Sequence, residues 1–145
     1  MTPTLLGRWQ TRLFLLATIG VLITLPFYFG IIGANPGVGN NPVFFWILGY
    51  VALFGFVWDI LYIFLQKFRW DRDWPGIFQL FAGIWELVFV GCGVKLLGLP
   101  NVSKAVPLFW FIVHYSAVWL GVYIASQSLM RILFPRWRFR GGRLL

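Results

Sequence analysis

Charge is what this sequence has least of. Only 11% of its 145 residues are Asp, Glu, Lys or Arg, and only four of those are acids. A water-soluble domain of this size usually has about a quarter of its residues charged, so a freely soluble protein is excluded. There is a single cysteine, Cys92, which rules out an intramolecular disulfide and a cysteine-rich metal site. In its apolar setting it reads as a buried, inert thiol. There is a single histidine, His114, so one chain cannot ligate a haem through two histidines. No phosphate-binding glycine loop, zinc-spaced His/Cys set or nucleophile–base pair occurs. The sequence therefore predicts no enzyme, no metal and no cofactor.

What is present is apolar: 60% of the residues are hydrophobic and 21% are aromatic. Long uncharged runs make a bilayer the natural solvent. The net charge of +8 gathers at the ends of those runs, where it suits lipid headgroups better than nucleic acid. The tail Arg136-Trp137-Arg138-Phe139-Arg140 fits an anionic-lipid contact in the same way. The expected fold is all-α: one domain, 1–145, of four transmembrane helices in an up-down bundle. The helices are placed at about 13–34, 43–66, 75–99 and 107–134, with a basic tail over 135–145.

The boundaries rest on local signals. Thr2-Pro3 is a candidate helix start, and Pro42, Pro75 and Pro107 open the later helices, where a missing N–H costs nothing. Asn41 is the expected cap of the second helix, and Asp73 or Trp74 of the third. The first apolar run is too long for a signal-peptide core and lacks a small-x-small cleavage site. Pro26 inside it predicts a kink. Ten basic residues fall at the N-terminus, the middle loop and the tail, against Lys95 and Lys104 on the other side. The positive-inside rule then puts both termini in the cytoplasm, with a bacterial inner or thylakoid membrane as the expected location. Trp9, Trp70, Trp74, Trp110 and Trp137 fall near helix ends, as an aromatic belt requires.

The second and third helices form the centre of this reading. Each has one acid in similar surroundings, Val57-Trp58-Asp59-Ile60 and Ile84-Trp85-Glu86-Leu87. If the two helices fold back on one another, Asp59 lies level with Glu86, Ala52 with Gly93, and Gln66 with Gln79. These positions repeat every seven residues, the spacing of a helix–helix seam. Both acids lie roughly 12–15 Å from the cytoplasmic ends of their helices, close to mid-membrane. Two carboxylates there require help. They can share a proton, bind a cation, or accept from donors such as a Trp indole, Tyr62 or the glutamines. The last outcome is structural and is the expected one.

His114 faces the bundle, on a stripe with Gly121, Ala125 and Ser128. It lies roughly 15 Å shallower than the acids from the outer side, so it reads as a hydrogen-bonded interior histidine. Lys95, near an outer helix end, is expected to snorkel. The loop Trp70-Asp71-Arg72-Asp73-Trp74 is a topology anchor or a docking point for a cytoplasmic partner. The functional expectation is a small non-enzymatic subunit, anchor or assembly factor of a membrane complex. It would contact lipid and other subunits or copies of itself, and no nucleic acid. The alternative is proton or cation translocation through Asp59 and Glu86. That role calls for a polar stripe running from Gln66 and Gln79 through the acids to His114, and apolar gaps interrupt it in the sequence.

Overall fold

The computed structural model describes residues 4–33, 41–70 and 75–136. Among these every regular element is a helix, and four are long and apolar enough to cross a membrane: α1 (Leu5–Tyr28), α2 (Val43–Gln66), α3 (Gly76–Leu97) and α4 (Leu108–Leu133). They form an up-down bundle in which α1 packs against both α2 and α4, and α3 completes the ring against α4 and α2. Large side chains such as Leu53, Val57, Phe81 and Trp85 point away from the bundle. In water that arrangement would be costly; against hydrocarbon it is not.

The first span starts two turns before the expected 13–34 range. Thr4 is extended (φ −89°, ψ 154°), and its hydroxyl accepts from Gly7 N at 3.1 Å. This is an N-cap bond that satisfies a backbone donor of the first turn. Residues 5–12 are helical because their inward face has partners in the bundle: Arg8 bonds to Gln66, Trp9 to the Phe56 carbonyl, and Arg12 to both buried acids. The span also ends earlier than expected, at Tyr28. Gly30 adopts φ 68°, its N–H donates to Phe27 O, and Ile31 N–H donates to Pro26 O at 2.9 Å. That pair of bonds is the Schellman stop, and glycine supplies the left-handed residue it needs.

The departure from regular geometry in α1 lies before Pro26. Leu16–Gly20 forms a π turn between α-helical Leu5–Leu15 and Val21–Tyr28, and such a turn accommodates one extra residue. In an unbroken α-helix Thr24 would lie about 120° round the axis from Arg12. Absorbing one residue brings it to roughly 20°. The π turn therefore aims Arg12 and Thr24 into the same interior.

The later boundaries deviate little. Asn41 Oδ1 accepts from Val43 N at 3.2 Å at the start of α2. Pro75 and Pro107 immediately precede α3 and α4, while Asp73 and Trp74 lie outside the described residues. Gly98, at φ 75°, stops α3. Its missing Cβ leaves room for Lys104, whose Cε would otherwise be 2.7 Å away. Lys104 donates to Leu96 O at 3.0 Å. Lys95 does not simply reach for headgroups, because its ammonium donates to the carbonyls of Lys104 and Val106 and ties down the α3–α4 connection. Cys92 is exposed on the outer side of α3, not buried; in a bilayer an apolar outward face needs no cover.

The expected α2–α3 seam is not built as the heptad spacing implied. Ala52 packs on the cluster of Leu16, Leu48 and Val118 on the α1–α4 side, and the atoms nearest a Cβ on Gly93 would be those of Leu99, just past the end of α3. The two helices meet instead through aromatic edges: Trp58 on Trp85 at 5.9 Å, Trp58 on Phe89 at 5.2 Å, and Phe54 on Phe89 at 5.3 Å. Sequence spacing ranked small residues first, whereas the wide gap around the acids is held by α1. The main apolar core, including Phe27, Ile47, Val90 and Phe111, fills the half of the bundle away from Arg12.

Candidate functional site: an intramembrane ionic cluster and the cavity beside it

Asp59 on α2 and Glu86 on α3 are 3% and 6% exposed. They converge on the guanidinium of Arg12. Arg12 Nε donates to Asp59 Oδ2 at 2.9 Å and Nη2 to Asp59 Oδ1 at 3.0 Å, the two-pronged geometry that suits arginine and carboxylate. On its other edge Nη1 donates to Glu86 Oε2 at 3.0 Å, and Nη2 reaches Glu86 Oε1 at 3.2 Å. Tyr62 OH donates to the same Oε1 at 3.0 Å. One cation thus bridges two acids and three helices.

The bundle makes room for this. A Cβ on Gly55 would lie 2.7 Å from Arg12 Cζ and 2.8 Å from Cδ, so only glycine allows α1 to lay its arginine across α2. A Cβ on Gly83 would lie 2.6 Å from Trp119 Cδ1, and Tyr115 OH donates to the Gly83 carbonyl at 3.0 Å. Glycine here seats α4 against α3, next to Glu86.

Arg12 was the functional residue that the sequence reading missed, because the charged N-terminal segment was set apart from the first span. The signal was nevertheless present. Arg8 and Arg12 are four residues apart and share a helical face. Two buried acids also demand a counter-charge, and intramembrane ionisable groups pair with one another. Of the donors considered for the acids, Tyr62 does serve Glu86 and the glutamines do not. Gln66 accepts from Arg8 Nη2 at 3.2 Å. Gln79 lies on the opposite side, donating to Ser126 Oγ at 3.2 Å and accepting from Gln127 Nε2 at 3.0 Å. The level pair Gln66/Gln79 is therefore split between α1 and α4.

His114 is 1% exposed, and Gly121 on its stripe faces Ile19 and Ile23 of α1. Its Nε2 lies 2.9 Å from Thr24 Oγ1, and Thr24 itself donates to Gly20 O at 2.7 Å. The rings of Phe27 and Phe44 lie 5.0 and 4.9 Å away. Thr24 is a second residue that sequence alone did not single out, since its inward aim depends on the π turn. His114 Nδ1 and Thr11 Oγ1 are buried with no hydrogen-bond partner among the described residues.

A cavity of about 460 Å³ runs between the helices and is lined by Gln79, Asp59, Glu86, Arg12 and His114 among others. Its apolar walls include Leu15, Leu16, Val118 and Val122. Arg131 and Pro135 line one end and are exposed, whereas His114 and Ile47 at the other are buried. No group of His, Cys, Asp and Glu that could hold a metal ion occurs among the described residues. In the middle loop Trp70 is fully exposed, and Asp71, Arg72, Asp73 and Trp74 lie outside the described residues.

No family model matches the chain, no curated protein matches it, and no solved structure matches it.

Proposed function

We propose that this is a small non-enzymatic integral membrane protein that serves as a subunit, anchor or assembly factor of a membrane complex. The observation that carries the reading is the closed ionic cluster. Asp59 and Glu86 are occupied by Arg12 and Tyr62 of the same chain, so the acids act to hold α1, α2 and α3 together. Such internal pairing fixes a scaffold whose aromatic outer faces, including Phe64, Phe81 and Trp85, are offered to other subunits or to a second copy. Both termini are assigned to the cytoplasm of a bacterial inner or thylakoid membrane. Support for that orientation comes from the basic middle loop and tail, since Arg12 now belongs to the bundle interior and drops out of the count. Trp70, exposed at the start of the middle loop, is the natural first contact for a cytoplasmic partner.

A second reading is proton or cation translocation. It is favoured by the cavity, which joins Gln79, the acids and His114 across the gaps seen in the sequence. One experiment separates the two. The tagged full chain, extracted in mild detergent, is run on native gels, and the purified protein is tested for proton and cation flux in vesicles. A scaffold is expected to migrate with other membrane proteins and to give no flux. Migration alone together with flux that disappears in both Asp59→Asn and Glu86→Gln would overturn it.

A further inference from the structure

The two nitrogens of His114 have different fates. A threonine hydroxyl has one hydrogen, and Thr24 donates it to Gly20 O at 2.7 Å. The 2.9 Å contact with His114 Nε2 must then run the other way, with Nε2–H donating to Thr24. In the neutral ring this leaves Nδ1 as a bare lone pair, an acceptor only. That atom is buried without a partner among the described residues, in a side chain that lines the cavity.

The surroundings define what such an acceptor would take. Around His114 the cavity wall is Leu16, Ile47, Leu48, Val118 and Tyr115, and the Tyr115 hydroxyl is already committed to Gly83 O. A lone water prefers two to four polar partners; His114 Nδ1 and the Tyr115 oxygen are both acceptors here, so the water's own lone pairs would find no donor among these residues. An anion would meet a lone pair here and two carboxylates further along. A metal ion would lack further ligands, and an ammonium would forfeit its remaining hydrogen bonds against apolar walls. A neutral donor on an apolar body suits His114 Nδ1 and the side chains of Leu15, Leu16, Val118 and Val122 that make the cavity's apolar walls. The volume, about 460 Å³, is that of a small-molecule pocket. The lining extends along α4 from His114 to Arg131, about 25 Å at helical rise, so a hydrocarbon portion has a way out towards the exposed end.

We propose that the cavity binds a neutral apolar molecule with a hydroxyl head, a phenol or alcohol on a hydrocarbon body, whose O–H donates to His114 Nδ1. This holds independently of the subunit reading, because it concerns the interior and not the outer faces.

Because His114 is the sole histidine, ¹⁵N-histidine labelling of the full chain in nanodiscs gives one ring to follow. The probe is 4-hexylphenol, with 4-hexylanisole as the same body without the donor. The phenol is expected to move the Nδ1 resonance in the direction of hydrogen-bond acceptance and to bind about tenfold more tightly than the anisole, the effect of one buried hydrogen bond. His114→Phe should remove that preference, so that phenol and anisole bind alike. If this variant fails to fold, the wild-type spectrum with the two probes decides alone. Equal affinities, an Nδ1 resonance that stays still at saturation, or binding of neither probe would overturn the proposal. So would an Nδ1 signal already in its hydrogen-bonded position without probe, which would assign water as the occupant.

Discussion

The polar clusters around Arg12 and around His114 are both buried in the bundle, and they are finished to different degrees. At the Arg12 end, both carboxylates and all three guanidinium nitrogens have partners within the chain. At the His114 end, one ring nitrogen is bonded to Thr24 and the other has no partner among the described residues. The first cluster joins three helices through charge-assisted bonds; the second joins α1 to α4 through a single neutral bond. A saturated network rigidifies what it connects, whereas an unsatisfied acceptor marks a place where something else fits. The difference explains why the acids, despite their depth, are assigned to scaffolding and the histidine to a ligand.

The hardest blow to this contrast is removal of the shared cation. Arg12→Leu leaves two buried carboxylates without their counter-charge and should cost about 3–5 kcal/mol, read as a lower midpoint in denaturant titration of the protein in mixed micelles. The double variant Asp59→Asn with Glu86→Gln, which strands Arg12 instead, should lose a similar amount. Either amide alone leaves a one-to-one pair and should cost about 1 kcal/mol. Additive losses across that set would mean the three groups do not act as a unit.

The next largest effect tests the seat of the arginine. Gly55→Leu places a side chain where Arg12 lies and should cost about 1–3 kcal/mol, while Gly49→Leu on the same helix, where a Cβ meets nothing within 4 Å, should be near neutral. Equal losses would show that the contact with Arg12 is not what requires glycine at position 55, since leucine is the better helix former at both sites. The smallest effect belongs to the histidine end. Thr24→Val removes one interhelical bond and should cost about 0.6 kcal/mol, the average for such bonds in membranes. A loss as large as that of Arg12→Leu would erase the distinction between the clusters.

Some of the site was legible before any tertiary contact was known. Asp59 and Glu86 stand out because ionisable residues are rare in apolar runs, and their helical faces turn them inward. Their level depths follow from helical rise on either side of one loop. His114 faces inward for the same reason of periodicity. The seam between α2 and α3 was misread because small residues at heptad spacing are common in an apolar chain. Spacing cannot say which of several neighbours a face will meet. Ala52 fits that lesson, since the spacing sets it level with Gly93 on the α2–α3 seam and it packs instead on the α1–α4 side.

Composition and hydropathy fixed four spans, their order and the burial of the acids, because the bilayer imposes a length and an apolar surface on any helix that crosses it. Periodicity then set which way each side chain points along a regular helix. Only the packed bundle decided that Arg12 enters the interior and closes the pair. That outcome depends on a span starting at Leu5, on a missing Cβ at Gly55 and on a π turn at Leu16–Gly20. The glycine itself is written in the sequence, but its use for Arg12, like the other two features, rests on contacts between residues far apart in the chain, which local sequence has no means of recording.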